Sequence, residues 1–434
     1  MKQEAQPQGT NNPASSILED LAARDLIAQS TDLEALGAAF AAGPVTYYCG
    51  FDPTAPSLHI GNLVQILTLR RLQLAGHRPL GLVGGATGLI GDPKLTGERV
   101  MNAPDVVASW VDRIRRQIEP LLDFEGPFAA RMVNNLDWTA PLSAIDLLRE
   151  VGKHFRLSNM LAKETVAARL RSEQGLSFTE FAYQVLQGMD FLELYRRYGC
   201  LLQTGGNDQW GNLLAGVDLI HKTEAAKVHA FTTPLVTKAD GTKFGKTEAG
   251  TVWLDGAMTT PYAFYQFWLN QDDRDVVGYL KVFSFRDLGA IEELAVATAE
   301  RPHERAAQRA LADDVTSLVH GAQATQQVKA AAAALFGAGD LRELDESTLD
   351  AAIAGLPSAE TGTPDAAVVD LLVASGIEAS KGAARRTLAS GGVYLNNTKV
   401  TDQDQRLAQS DWLHGRFALL RRGKKTLGVA RLAK

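Results

Sequence analysis

The chain has 434 residues, 45% hydrophobic and 7% aromatic, enough for about three globular domains with buried cores. Its longest apolar run, residues 79–92, is broken by five glycines, so no membrane span is expected, and two cysteines without Cys-x-x-Cys or Cys/His spacing exclude a disulfide framework or a zinc site and suit a reducing cytoplasm. The formal charge is −6, but residues 381–434 carry 12 Lys and Arg against 3 Asp, a local +9 that leaves −15 for the remainder; that end is either a solvated basic tail or a surface that meets phosphate.

Residues 1–16 are polar, rich in Gln, Asn and Pro, and lack the apolar segment of a secretory signal, which reads as a disordered tail. Residues 45–52 alternate as a strand. A Pro/Ser turn then leads into 58–75, where Leu63, Ile66, Leu67 and Leu74 recur at helical spacing, and a second apolar run follows at 79–83. Strand, crossover helix and strand begin a parallel α/β sheet whose ligand lies beyond the carboxyl ends of the strands, where the glycine-rich segment 84–92 falls. Residues 178–198 read as a helix, 205–212 as a loop, and 228–250 as a strand running into a polar loop. These define an α/β domain over 17–255. The alanine-rich stretch 261–335 has helical periodicity, so 256–336 is expected to be an α-helical domain. Residues 337–364, with Gly-Ala-Gly-Asp and Thr-Gly-Thr-Pro, read as a linker with one short helix. The last unit, 365–434, is expected to be a small α+β domain, opening with two helices split at Gly376 and containing a hairpin that turns at Asn396-Asn397.

Period-2 alternation in the first strand puts Tyr48, Gly50 and Asp52 on one face. His59-Ile60-Gly61-Asn62 lies at the N-terminus of the following helix, where unpaired N–H groups and the helix dipole favour phosphate, and Gly61 lets a base approach the backbone. On the 178–198 helix, Tyr183, Gln187 and Asp190 form one stripe, which is either an interhelical hydrogen-bond network or a pocket wall for an ammonium and a phenol hydroxyl. Asp208, in Gly206-Asn207-Asp208-Gln209-Trp210, suits the two hydroxyls of a ribose. Lys243-Phe244-Gly245-Lys246-Thr247 resembles a P-loop, but position 240 is Asp where that motif needs Gly. It is either a solvated loop or a clamp in which Lys243 and Lys246 neutralise a departing pyrophosphate.

Taken together, Tyr48-Cys49-Gly50-Phe51-Asp52-Pro53-Thr54, His59-Ile60-Gly61-Asn62, the glycine-rich segment 84–92, Gly206–Asn212 and Lys243–Thr247 resemble, in order and spacing, bacterial tyrosyl-tRNA synthetases. The resemblance implies a class I synthetase: a Rossmann-type catalytic domain, an α-helical anticodon-binding domain and a C-terminal RNA-binding domain of the kind first described in a ribosomal protein. It implies a homodimer whose substrates are L-tyrosine, ATP and tRNA(Tyr). Mg2+ is expected to accompany ATP rather than to sit in a protein cage, because the sequence shows no carboxylate cluster. Carried over by position, Tyr48 and Asp190 meet the phenol hydroxyl, while Asp92, Tyr183 and Gln187 surround the α-ammonium. Gly50, Gly61, Asn62, Gly206, Asp208, Leu235 and Val236 line the adenosine, Thr54 and His59 touch the terminal phosphate, and Lys243 and Lys246 the pyrophosphate. Asn62 stands where the family often has a second His, and the loop from Pro93 to Arg99 is one residue shorter than the family pattern, leaving the role of Lys94 open while Arg99 matches.

The chemistry needs no general base. An amino-acid carboxylate is already ionised at neutral pH, so attack on the α-phosphate needs only alignment and charge neutralisation. Two other readings remain: a related synthetase for tryptophan, which the Tyr48–Asp190 pair disfavours because an indole offers only a donor, and a catalytically inactive RNA-binding paralogue, which intact Lys243, Lys246 and Asp208 disfavour.

Overall fold

The computed structural model describes residues 17–93, 101–161, 164–173, 175–239, 241–242, 244–247, 250–337, 339–423 and 426–433, with 164–165 and 246–247 described by backbone alone. The tail expected at 1–16, most of the loop that contains Lys94 and Arg99, and Lys243 lie outside the described residues. The chain divides into two compact units, Met1–Met258 with Gln271–Leu311, and Thr259–Asn270 with Ala312–Lys434.

Among the described residues, the first unit holds a six-stranded sheet ordered β1-β6-β5-β2-β3-β4. Its strands are β1 (Gln29–Ser30), β2 (Thr46–Phe51), β3 (Arg78–Val83), β4 (Arg131–Asn134), β5 (Cys200–Gly206) and β6 (His229–Thr233). Only the short β1 is antiparallel to its neighbour. Parallel sheets are covered on both faces by their crossovers, and so the alternation read in β2 does not separate core from solvent: Tyr47, Tyr48, Cys49 and Phe51 are all buried, and Gly50 alone is open. The chain builds outward from β2 to β3 and β4, then returns to lay β5 and β6 on the other side of β2. This reversal places a topological switch point at the carboxyl ends of β2 and β5, where open α/β sheets bind ligands.

Local chemistry fixes the two helices that matter most. Helix Ile60–Leu74 is capped by reciprocal bonds: the His59 side chain accepts from the Gly61 N–H, and the Asn62 amide oxygen accepts from the His59 N–H. Helix Phe178–Tyr198 has the bounds expected from sequence, started by Ser177, whose hydroxyl accepts from the Glu180 N–H, and stopped by Gly199 in the left-handed region. Its first turn is held by a buried ion pair, Glu180 to Arg169, at 2.9 Å. It packs against helix Trp210–Glu224, and a Cβ at Gly216 would meet Phe191 at 3.0 Å, so glycine leaves that ring room it would otherwise have to yield.

Residues 205–212 are not a loop. Gly205 and Gly206 end β5, paired with Thr232 and Thr233 of β6, and a single 3-10 turn, Asn207–Gln209, leads straight into the next helix. Beyond β6, the polar segment closes in a two-stranded hairpin, β7 (Lys246–Thr247) with β8 (Gly250–Thr251). The helical stretch expected over 261–335 is present as Pro261–Leu269, Val276–Phe283, Leu288–Glu300, Ala306–His320 and Ala322–Leu335.

In the second unit a five-stranded sheet runs β11-β10-β12-β13-β9, with β9 (Ser358–Thr361), β10 (Val393–Leu395), β11 (Thr398–Lys399), β12 (Phe417–Arg422) and β13 (Thr426–Leu432). The expected hairpin turns at Asn396 and Asn397, both at positive φ. The stretch 337–364, expected as a linker, is instead built into this unit. Leu341, Leu344, Leu349 and Ile353 share one core with Phe417, Leu419 and Val429, and β9 pairs in parallel with β13. Glycine, proline and threonine signalled a linker, but the apolar residues between them find partners some 70 residues later.

Candidate functional site

The carboxyl end of β2 carries Asp52 to a point between three elements. One of its oxygens accepts from the Thr87 hydroxyl and the other from the Tyr183 hydroxyl, each at 2.6 Å. Gly84, at the end of β3, has no room for a side chain, since a Cβ there would lie 2.1 Å from Asp52 Oδ1 and 2.3 Å from Thr87 Oγ1. On the same helix as Tyr183, Asp190 is buried and both its oxygens are engaged. Trp138 Nε1 donates to one at 2.8 Å and Asn135 Nδ2 to the other at 3.0 Å. Asn135 also donates to Thr87 and accepts from the Ala86 N–H, linking the glycine-rich turn to the helix stripe. Asp92 accepts from Gln209 Nε2 at 3.1 Å and from Asn212 Nδ2 at 3.4 Å, and Gln209 also donates to Asp208.

Electrostatics follow from this crowding. Burial pushes the Tyr183 hydroxyl well above its ordinary value, and Asp52, Asp92 and Asp190 add to the push. Burial likewise raises Tyr48, with Asp190 next in effect. Asp190 is pushed up to about 7, chiefly by burial, against the opposing pull of the Asn135 and Trp138 donors. Three carboxylates around one tyrosine hydroxyl make a field that suits a cation. Among the described residues, the buried polar atoms without a hydrogen-bond partner include the Tyr48 hydroxyl and Gln187 Oε1. Such groups are costly unless a ligand satisfies them.

Of the site residues expected from sequence, Tyr48, Tyr183 and Asp190 fall in this buried region, with Gln187 on the same helix as the last two and Asp92 tied to the loop after β5. The phenol pair has a different hydrogen-bond state from that expected. Asp190 is already bonded to Asn135 and Trp138, and Tyr48 is the open group, though a carboxylate with two donors retains further acceptor positions. Gly206, Asp208 and Leu235 cluster: a Cβ on Gly206 would lie 2.7 Å from Asp208 Oδ1 and 3.5 Å from Leu235 Cδ2. Val236 follows Leu235 beyond β6. Thr54, His59 and Gly61 are exposed at the end of β2 and the start of the following helix, with Gly50 open beside them and Asn62 half-buried. His59 Nδ1 accepts from the Gly61 N–H, which suits the tautomer with its proton on Nε2. Lys246 opens β7; the structure gives only its backbone.

Sequence reasoning assigned no role to Thr87, Asn135, Trp138 or Gln209, and left Asp52 as part of a strand face. Period-2 alternation did put Asp52 beside Tyr48. Asn135 and Trp138 carried no usable signal, because what makes them matter is a carboxylate 52 to 55 positions away.

A mostly parallel sheet with a topological switch point, acidic side chains gathered near it and a capped helix N-terminus after β2 are what a nucleotide-type domain provides, and comparison assigns its family. Residues 41–337 match the family model described as tRNA synthetases class I (W and Y), and 348–429 match that of the tyrosine--tRNA ligase SYY-like C-terminal domain. The chain belongs to the class I tRNA synthetases of the tryptophan and tyrosine group. Among its relatives, the tyrosine--tRNA ligase of Streptomyces avermitilis is 65% identical over 414 residues, 95% of this chain and 98% of the relative. That of Acidothermus cellulolyticus is 61% identical over 96% of this chain and 99% of the relative. A solved structure of a C-terminally truncated mitochondrial tyrosyl-tRNA synthetase from Coccidioides posadasii superposes with a TM-score of 0.65 at 33% identity, covering 73% of this chain and 92% of that one.

Proposed function

We propose that this chain is a tyrosine--tRNA ligase, joining L-tyrosine to ATP as tyrosyl-adenylate and transferring the tyrosyl group to the 3′-terminal adenosine of tRNA(Tyr). The observation that carries the reading is the pairing of an unpartnered, buried Tyr48 hydroxyl with the buried Asp190 carboxylate. A phenol hydroxyl satisfies both, accepting from Tyr48 and donating to Asp190, whereas an indole N–H can only donate. High identity to the ligases of Streptomyces avermitilis and Acidothermus cellulolyticus supports the same substrate.

At the other end of the amino acid, Asp92, the Tyr183 oxygen and Gln187 Oε1 receive the α-ammonium. ATP lies with its adenosine along Gly50, Gly61, Asn62, Gly206, Leu235 and Val236, and its ribose on Asp208. Thr54 and the His59 Nε2–H meet the terminal phosphate. The tyrosine carboxylate oxygen attacks the α-phosphorus, a new P–O bond forms, and the bond to the bridging oxygen breaks to release pyrophosphate. Lys243 and Lys246 neutralise the charge that this oxygen gains, and Mg2+ travels with the nucleotide. In the second step the terminal ribose hydroxyl attacks the adenylate carbonyl, and AMP leaves.

The residues at 256–336 and 365–434 serve the tRNA as anticodon-binding and C-terminal RNA-binding parts. Exposed basic side chains on helix Lys381–Ala389, set over a buried Ala384 and Leu388, support the second assignment. A homodimer is implied by the family resemblance, and the exposed apolar side chains between Ile145 and Phe178, the last 77% open, are candidates for its contact. Relatives of bacterial origin favour the cytoplasm.

Lys246→Ala tests the catalytic reading. Single-turnover adenylate formation should slow by about a hundredfold or more, with the equilibrium dissociation constant for tyrosine nearly unchanged. Unaltered adenylation would return the lysine loop to solvent.

A further inference from the structure

Each proton around Asp52 can be followed from donor to acceptor. Both hydrogens of the Asn135 amide have their acceptors, Thr87 Oγ1 and Asp190 Oδ2, each at 3.0 Å, and its oxygen accepts from the Ala86 N–H at 2.7 Å. A flipped amide would turn its own N–H groups on that of Ala86, so this orientation is fixed. Thr87, accepting from Asn135, gives its proton to Asp52 Oδ1, and the Tyr183 hydroxyl gives its proton to Asp52 Oδ2, each at 2.6 Å. The direction of every donor in the chain Tyr183, Asp52, Thr87, Asn135, Asp190 is therefore set.

The backbone holds Asp52 at the centre of this chain. The Gly84 N–H bonds to the Phe51 carbonyl and the Thr54 N–H to that of Asp52. A Cβ on Gly88 would lie 2.5 Å from Pro53 Cγ, so the glycine-rich turn that carries Thr87 closes directly on the end of β2. Tyr183 has one proton, and it is spent. Burial, and after it Asp52, raises the Tyr183 hydroxyl well above its ordinary value, so the hydroxyl stays protonated. With that proton on Asp52, only its lone pairs can face a ligand. One helical turn on, Gln187 Oε1 is a second acceptor, buried without a hydrogen-bond partner.

We propose that Asp52 is a positioning residue that sets what this end of the pocket selects: by taking the Tyr183 proton it makes that hydroxyl an acceptor only, so the occupant must bring a donor there, as an amine does. This rests on the reading of Tyr183 as part of the ammonium site. Asp52 acts through Tyr183, and its contribution falls on the amine of the amino acid rather than on its phenol.

Equilibrium dissociation constants of the full-length protein test this with tyrosine, with tyramine, which keeps the amine, and with desaminotyrosine, which lacks it. Asp52→Asn should weaken tyrosine and tyramine by about tenfold, the worth of one charge-assisted hydrogen bond, and leave desaminotyrosine within about twofold of the parent. Tyr183→Phe should show the same pattern. In the Tyr183→Phe background, Asp52→Asn should add little, because the hydroxyl through which it acts is already gone. Asp52→Ala, carried through the same cycle, serves if Asp52→Asn does not fold, and Tm is followed throughout. Equal loss of all the ligands in step with Tm overturns the proposal. So does an effect of Asp52→Asn undiminished by Tyr183→Phe, since the carboxylate would then act by its own charge. If Tyr183→Phe alone leaves tyrosine and tyramine bound as before, the parent reading of the ammonium site has failed; if Tyr183→Phe weakens them and Asp52→Asn does not, only the positioning role has.

Discussion

Tyr48 and Asp190 occupy one buried pocket with opposite needs, a hydroxyl lacking a partner and a carboxylate that burial has raised to about 7. Removing the Tyr48 hydroxyl should cost tyrosine about tenfold in kcat/KM and leave phenylalanine little affected, because only tyrosine uses that bond. Competition between the two amino acids in adenylate formation measures it, and unchanged selectivity would place the phenol elsewhere. The raised Asp190 carboxyl makes a second prediction. In the free protein it is protonated below about pH 7, whereas a phenol hydroxyl donating to it favours the ionised form and lowers its pKa. Binding then releases a proton, so tyrosine affinity should rise with pH through about 6 to 7 and level off above. The same linkage applies to folding: an unfolded Asp ionises near 3.8, so the burial of Asp190 weakens the free protein progressively as pH rises from about 4 to 7. Calorimetry in buffers of different ionisation enthalpy reads the proton directly. A pH-independent affinity with no proton released would mean that Asp190 does not receive the phenol. Asp190 stood in the helix stripe that periodicity picks out, whereas its pairing with Tyr48 came from the family resemblance, since β2 buries residues of both its faces. Trp138 and Asn135 were not legible, because their importance is set by an approach of chain segments that no local pattern records.

At the scale of elements, the helices and strands nearest the site were the most legible. Helix Phe178–Tyr198 has both its stop signals in adjacent residues, Ser177 and Gly199, and β2 and β3 are short apolar runs bounded by turns. The glycine pair at 205–206 misled, since glycine marks turns by composition while these two residues complete a parallel ladder with β6. Phe178 begins its helix 77% exposed, and in the proposed homodimer a second copy of the chain would take that ring out of water. Phe178→Glu should weaken self-association by about 2 kcal/mol for each buried ring, shifting the protein toward monomer in sedimentation at micromolar concentration. A variant that sediments as the parent does would remove Phe178 from any subunit contact.

The molecule as a whole divides its charge as the proposed function divides its work. The acidic bulk holds the residues proposed to bind the adenylate, all before position 250, and the basic end holds Arg385 and Arg386 on an exposed helix face, neither of them in an ion pair among the described residues. Because 337–364 packs into the second unit's core, cutting the chain there would break that core as well as remove its charge. Substitution isolates the charge. Arg385→Gln with Arg386→Gln should leave tyrosine activation intact, lower tRNA charging, and reduce the salt slope of tRNA binding by about 1.5, as two fewer phosphates shed their counterions. An unchanged slope would put the tRNA on another surface. The account as a whole is tested most directly by the exchange of labelled pyrophosphate into ATP with tyrosine, and separately with tryptophan, as the only amino acid. Exchange that depends on tyrosine and is absent with tryptophan is the predicted result, while exchange supported by tryptophan, or by neither, would contradict it.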